Sequence, residues 1–449
     1  MAVHYDSATK RNQVDSYFKW YSMAMSTQTK PQIVLLAGGS NSRFFPLNTE
    51  THKGFLTLLG KPIVVRTLEN IKKYGFTDII IVVSEKDFGG KGLSGQVDTH
   101  TTDMNITWVL QKNAKGQGDA LLSAQEHISD NCIVSSPYYQ NAGELAQTLW
   151  EEYQTEKSEC VFMGTKITNP SLYGMLAFDE SDPKRITAVI EKPEKNPPSE
   201  FKINSVYLLS KKFISFLEEQ PTEEYALEKA FTQFCQKERV TWIENTQTLP
   251  SLKYAWQLFE MVAHLFSQEK SRTSTTATIS KTAVIDDSAG PVIIEDEARI
   301  GDFVKILGPC YIGKKAFIGD YSFVRNGCVI EAGSTVGSNT EVVRSIILSK
   351  SSIHFGYIAD SILGEHVKIG AGLITANKRL DRKIVRTRLQ DKMVEMTSNA
   401  HGIIVGAHTQ FGVGVRTMPG VLIGSGVMVE PATTISRNIP HTDPSDSTS

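Results

Sequence analysis

Beyond residue 275 of this 449-residue chain, one position in every six is aliphatic ten times running: Ile294, Ile300, Ile306, Ile312, Ile318, Val324, Ile330, Val336, Val342 and Leu348. If aliphatic residues fill roughly a quarter of positions, such a run in a chosen register has a probability on the order of one in a million. Self-similarity of this kind marks a solenoid, in which each repeat buries its apolar face only by stacking on its neighbours. The phase slips by three residues at His354. It then resumes at Tyr357, Leu363, Ile369 and Thr375, and continues at Val405, Phe411, Thr417, Ile423, Val429 and Ile435. Between Lys378 and Ala400 the pattern is missing, and this stretch reads as a loop thrown out of the coil.

Several ladder positions are followed by glycine (Gly301, Gly313, Gly319, Gly337). The pattern resembles the hexapeptide repeats of left-handed parallel β-helices, which implies three hexads per triangular turn with the aliphatic side chains inside. Upstream, from Ile33 to about Phe266, short apolar runs alternate with amphipathic stretches, which predicts a parallel sheet covered by helices. Between Pro62 and Tyr74, for example, Val64, Leu68 and Ile71 share a helical face, Gly75 stops the helix, and Asp78 to Val83 reads as the next strand. The expected organisation is a tail over residues 1–30, an α/β domain over 31–270, a β-helix over 275–438 and a disordered polar tail over 439–449. Met25 is an alternative start.

With 40% hydrophobic and 21% charged residues the chain has the composition of a soluble globular protein. A net charge of −2 and a pI near 6.6 provide no general field for nucleic acid or an anionic membrane. No apolar stretch approaches the roughly 18 residues that a membrane span needs. The five cysteines are widely spaced without a C-x-x-C, which suggests neither a disulfide framework nor a zinc site and fits a reducing, cytoplasmic setting.

The segment Ile33 to Ile63 orders a buried strand, a glycine turn, an arginine and a lysine as phosphate-handling loops require. It reads Leu36-Ala37-Gly38-Gly39-Ser40-Asn41-Ser42-Arg43, then Pro46-Leu47, His52-Lys53 and Gly60-Lys61-Pro62. This resembles the signature of the sugar-1-phosphate nucleotidylyltransferases. Asn41 stands where that pattern has glycine, and asparagine tolerates a left-handed backbone. The resemblance implies attack of a sugar-1-phosphate on the α-phosphorus of a nucleoside triphosphate, UTP or dTTP, with loss of pyrophosphate. Both reactants are anions, so catalysis rests on alignment and charge neutralisation. Arg43 and Lys53 are the catalytic candidates. Leu36, Ala37, Gly38 and Gly39, with Gln111 and Gly116 of the QKNAKGQGDAL segment, would hold the nucleotide. Tyr173-Gly174 and Glu191-Lys192-Pro193 resemble the sugar-side motifs, so Gly174, Glu191, Lys192 and Asn204 would hold the sugar phosphate. The resemblance also implies Mg²⁺ on an aspartate after the strand around Cys132 to Val134, but the chain there reads Ser135-Ser136-Pro137-Tyr138, leaving the neutral Asn204 as a weak ligand.

In the repeat half, His354-Phe355-Gly356-Tyr357-Ile358-Ala359-Asp360-Ser361 and Gly370-Ala371-Gly372-Leu373-Ile374-Thr375-Ala376-Asn377 resemble the acetyltransferase domain of the bifunctional N-acetylglucosamine-1-phosphate uridylyltransferases, most closely the archaeal-type enzymes. A histidine suits removal of a proton from an amine attacking a thioester. By that resemblance His354 is the base, Tyr357 and Asn377 orient the amino sugar or its base, Arg325 and Lys383 contact its phosphate, and Ala371, Gly406 and Ala407 line an acetyl-CoA channel between subunits of a homotrimer. The leading expectation is therefore a bifunctional enzyme acting on small molecules. A monofunctional nucleotidylyltransferase with an assembly-only β-helix, or a catalytically degenerate regulatory or scaffold relative, are the alternatives.

Overall fold

Strands buried on both sides account for the near-continuous apolar runs of the first half: Ile33 to Leu35 and Ile79 to Val83 are all fully buried. The computed structural model describes residues 29–89, 97, 101–221, 226–247 and 252–442. The expected N-terminal tail with Met25, and most of the polar C-terminal tail, lie outside the described residues. Nine strands form one sheet: β1 (Gln32–Ala37), β2 (Asp78–Val83), β3 (Asn105–Leu110), β4 (Cys132–Ser135), β5 (Cys160–Lys166), β6 (Gly174–Phe178), β7 (Ile186–Glu191), β8 (Phe201–Leu209) and β9 (Val240–Glu244). Their order is β9-β5-β8-β4-β1-β2-β3, with β6 on β8 and β7 on β6.

The strands β1 to β4 are mutually parallel, but β8 runs antiparallel to both β4 and β5, which departs from the all-parallel expectation. The cause is the connection. A parallel neighbour is usually reached by an α-helical crossover over the sheet face, whereas β5 reaches β8 through the β6–β7 hairpin, with no α-helix between them. Helix α1 (Ile63–Lys73) buries Val64, Leu68 and Ile71, and Gly75, at φ 76°, ends it in the left-handed conformation. Two further helices, α2 (Gln117–Ser123) and α3 (Ala142–Glu156), follow β3 and β4.

From Arg272 onward the chain is a β-helix of hexapeptide repeats with three parallel faces. Ile294, Ile312, Ile330, Ile347, Leu363, Val405 and Ile423 stack on the first face. The inward ladder differs from the sequence reading in one stretch. After Val342 it passes through Ile347, Ile353, Ile358 and Leu363, all buried in the coil. Leu348 points out of the coil into the cluster shared with the first half, and Tyr357 is half-exposed. Three separate one-residue shortenings, ending at Ile347, Ile358 and Leu363, thus replace a single three-residue slip at His354. A hexad can lose one residue at a corner and keep its side chain inward, whereas three lost together would remove half a face. The excursion after Thr375 contains an antiparallel hairpin, Arg386–Leu389 with Lys392–Glu395.

The first face carries a second apolar row on its outside: Ile293, Tyr311, Val329, Ile346, Ile362, Ile404 and Leu422. This row packs against Leu59, Trp256, Leu258 and Phe266 of the first half. Burying an aliphatic side chain stabilises by about 1.5–3 kcal/mol, so the halves dock through a continuous seam rather than hang from a linker. Within the seam Glu331, fully buried, accepts hydrogen bonds from the Gly60 N–H at 3.2 and 3.4 Å. Gly60 has φ 72°, and a Cβ there would lie 2.2 Å from the Tyr311 hydroxyl oxygen, so the turn admits only glycine.

Candidate active site

The signature loop leaves β1 at Leu36 and Ala37 and enters a 3₁₀ turn, Ser42–Phe44, that carries the exposed Arg43. Asn41 adopts φ 52°, ψ 33°, the left-handed conformation that a glycine would take at no steric cost. Gly38 lies against Gln111, where a Cβ would sit 2.0 Å from Oε1, while nothing stands within 4 Å of the equivalent point on Gly39. The Gln111 amide nitrogen donates to the carbonyls of Asn113 and Gly116, both at 3.2 Å, and to Asp119 at 2.6 Å. Its Oε1 is buried without a partner. Gly116, at φ 107°, turns the chain into α2, which begins at Gln117.

Lys53 follows His52, a buried imidazole whose Nδ1 accepts from the Gly54 N–H at 3.1 Å. Burial, then the charges of Lys53 and Lys86, hold the His52 pKa well below its ordinary value. The Lys53 ammonium lies 4.9 Å from the centroid of the Tyr138 ring, a cation–π contact in the segment where the family resemblance implies an acidic metal ligand. Beside it Tyr139 shares hydrogen bonds with Ser136 and Ser205, and burial drives its pKa up. Ser135 Oγ and Asn204 Oδ1 are both buried without partners. Both are neutral oxygens, and among the described residues no three His, Cys, Asp or Glu side chains gather where they could hold a metal ion. Magnesium is held mainly by charged oxygens, so the residues present do not fit it.

On the sugar side, Gly174 pairs in register with Glu191, whose Oε2 would lie 2.9 Å from a Cβ on that glycine. Lys192 forms an ion pair with Glu191 at 3.0 Å. Asn204 sits in a bulge of β8, where its register on β5 shifts between Ile203 and Tyr207. Two lysines that the sequence reading omitted belong here. Lys202 Nζ stands 4.5 Å and Lys253 Nζ 5.9 Å from the centroid of the Tyr173 ring. Burial lowers the pKa of both, and for Lys253 the charges of Arg43, Lys192 and Lys202 lower it further. Lys202 was within reach of the sequence, since it shares the alternation of Asn204 on β8; Lys253 has no local signal.

In the β-helix the strand Ser352–Ala359 runs through a corner from the second face to the third, and its register on Lys368–Thr375 shifts between Phe355 and Gly356. The shortened hexad places His354 exposed at that corner. It opens on a groove of about 1210 Å³ lined by Gly337, Ser338, Phe355, Gly370 and Ala371. Among the described residues the imidazole has no side-chain or backbone hydrogen-bond partner. Along the same strand Tyr357 lies beside Glu341 in register, and burial, then Glu341, raise its pKa. Arg325 donates to Glu341 Oε1 at 3.0 and 2.8 Å. Asn377 donates to Asp360, which also binds Arg344. Lys383 is exposed on the excursion. Ala371 lines the His354 groove, but Gly406 and Ala407 lie one corner away, with Ala407 on a separate cavity of about 580 Å³ between the halves.

The family model described as nucleotidyl transferase matches residues 32–257, half of the chain and all of the loops that build the first cleft. The chain belongs to the nucleotidyl transferase family. A second model, the GMPPB C-terminal domain, matches residues 288–394. The chain is 29% identical over 417 residues to a bifunctional sugar-1-phosphate nucleotidylyltransferase/acetyltransferase of Sulfurisphaera tokodaii, covering 90% of this chain and 97% of that one. It is 28% identical over 410 residues to the bifunctional protein GlmU of Methanocaldococcus jannaschii, covering 90% and 95%. The uncharacterized acetyltransferase YaiX of Escherichia coli is 33% identical over 198 residues, 42% of this chain and 86% of that one. Membership of the nucleotidyl transferase family makes the chain a transferase, and relatives along nine tenths of its length support nucleotide-sugar biosynthesis as its process. Such families use a divalent metal and acetyl-CoA in general. Among the described residues no helix is long and apolar enough to cross a membrane.

Proposed function

We infer that residues 275–438 transfer the acetyl group of acetyl-CoA to the amine of a hexosamine-1-phosphate, and that residues 31–270 bind nucleotide and sugar-1-phosphate for nucleotidyl transfer. The observation that carries the first reading is the unpartnered His354 imidazole at the mouth of its groove. The amine nitrogen attacks the thioester carbonyl carbon while His354 accepts the amine proton. The carbon–sulfur bond then breaks and the CoA thiolate leaves, taking up that proton as free thiol. Tyr357 and Asn377 orient the amino sugar. Arg325, together with Lys383, receives its phosphate. Ala371 borders the acetyl chain, and Gly406 and Ala407 would serve a channel completed by a neighbouring subunit of a homotrimer, in the cytoplasm. The test is release of free thiol from acetyl-CoA on adding glucosamine-1-phosphate or galactosamine-1-phosphate. Folded protein that releases no thiol with either sugar sinks the reading.

In the α/β half Arg43 and Lys53 neutralise the triphosphate, the strand end Leu36 to Gly39 and Gly116 border it, and the orphan Oε1 of Gln111 suits an N–H donor on the base. Gly174, Glu191, Lys192 and Asn204 hold the sugar phosphate. Lys53 against Tyr138 favours a second reading of this half, binding without turnover. Pyrophosphate release from UTP and dTTP with glucose-1-phosphate or N-acetylglucosamine-1-phosphate separates the two: activity equal to that of Lys53→Ala means the cleft binds but does not turn over.

A further inference from the structure

The sugar side of the first cleft holds more positive charge than its own carboxylates neutralise. Arg43, Lys192 and Lys202 lie within electrostatic reach of Lys253, and Glu191 is the carboxylate that opposes Lys253. Glu228, also nearby, feels both Glu191 and Lys192, and burial raises its pKa and favours its neutral form. Glu191 is engaged with Lys192. Among the described residues Lys202 and Lys253 have no carboxylate within ion-pair distance, and both ammoniums instead stand over the Tyr173 ring. Lys253 is held in place from behind, since Gln257 Oε1 accepts from the backbone N–H groups of Lys253 and Tyr254 at 2.7 and 2.9 Å. Half-buried cations that are preorganised and unpaired are costly to a fold unless an anion completes them. Ser135 and Asn204 offer only neutral oxygens where a divalent cation needs charged ones.

We propose that Lys202 and Lys253, set on Tyr173 beside Arg43, supply as fixed cations the charge that a bound metal would bring, so that this cleft takes the diphosphate of a nucleotide sugar without a divalent ion. The assignment rests on the nucleotide-sugar reading of the α/β half. Ammonium groups act on phosphate as point charges with rotatable donors, which suits a ligand whose two phosphates need neutralising rather than strict octahedral coordination.

The test is calorimetric titration of the full chain with UDP-glucose, dTDP-glucose and UDP-N-acetylglucosamine, in excess EDTA and in millimolar Mg²⁺. The expected result is at least one ligand whose Kd differs by less than about threefold between the two buffers, because charge-assisted contacts to lysine do not depend on the metal. Lys202→Gln and Lys253→Gln should each weaken that Kd roughly tenfold in EDTA, with Lys202→Arg retaining most of it. An unchanged circular dichroism spectrum and Tm are the readout that each variant is folded. Binding that appears only with Mg²⁺ overturns the proposal while leaving the nucleotide-sugar reading in place. EDTA-resistant binding that neither glutamine variant weakens overturns the assignment to these lysines. No binding of any of the three ligands in either buffer overturns both.

Discussion

The two candidate sites are assembled in opposite ways. In the α/β half the functional side chains are gathered from many separate segments, mostly loops at the strand ends: Arg43 and Lys53 after β1, Gln111 after β3, Tyr138 after β4, Lys192 after β7 and Lys202 on β8. In the β-helix, His354, Tyr357 and the Asp360 carboxylate that holds Asn377 come from one strand and its end, and their placement follows from hexads shortened by a residue. A loop-built site can therefore change one chemical component, as Ser135 to Tyr138 do, while its neighbours keep their geometry. A site set by backbone register changes as a unit.

The sharpest break of that comparison is His354→Ala. Loss of a general base should lower thiol release about 10²–10⁴-fold while nucleotide-sugar binding stays unchanged. A parallel loss in both assays would mean that the sites are not independent. Restoring the full hexad by inserting one glycine after Phe355 should cost about 10²-fold in the same thiol assay, since a misplacement near 1 Å suffices for that. Survival of activity would show that the shortened coil is incidental.

The seam between the halves responds to pH from both sides. Burial pushes the Glu331 carboxyl up to about 8, so the folded form keeps a proton that the unfolded chain loses above its ordinary value of 4.5. Stability therefore falls as pH rises from 4.5 to 8, and Glu331→Gln should remove that fall, a gain of roughly 4 kcal/mol at most, read as a higher Tm at pH 8 and none near pH 4.5. His401 runs the other way. Burial, then Arg344, lower it from 6.5 to about 4, so the unfolded chain takes up a proton first on acidification. Stability lost between pH 6.5 and 4 should reach about 3 kcal/mol in thermal melts, and His401→Gln should flatten that limb.

Much of the β-helix was legible because its core repeats at a fixed period, and a ladder from Ile294 to Val342 leaves no other phase. The reading lost register where hexads shrank, because Leu348 and Ile347 are both aliphatic and spacing alone prefers the sixth position. Both are buried, one in the coil and one in the seam. The outer row at Ile293, Tyr311 and Val329 was equally visible, as an extra apolar residue before each first-face ladder position, but it stands out only once a coil of three hexads is taken as the period. In the α/β cleft the signature loop and the missing carboxylate at Ser135 to Tyr138 were plain. The stacking of Lys53 on Tyr138 and the convergence of Lys202 and Lys253 on Tyr173 were not, since they join residues from distant segments whose closeness only the folded sheet decides.

The outer row has one more consequence. Its seven members, Ile293 to Leu422, come one per coil from the second first-face strand onward, the first strand carrying Arg272 in that register, so the seam is a row of rungs that counts the turns behind it. Adding or removing a complete coil would lengthen or shorten the seam by one rung and leave every other contact in phase. Loss of a single residue in a first-face strand would instead turn that rung away from the first half and expose the one behind it. The heritable unit of size in this half of the molecule is therefore the whole coil, and the length of the docking surface is inherited with it.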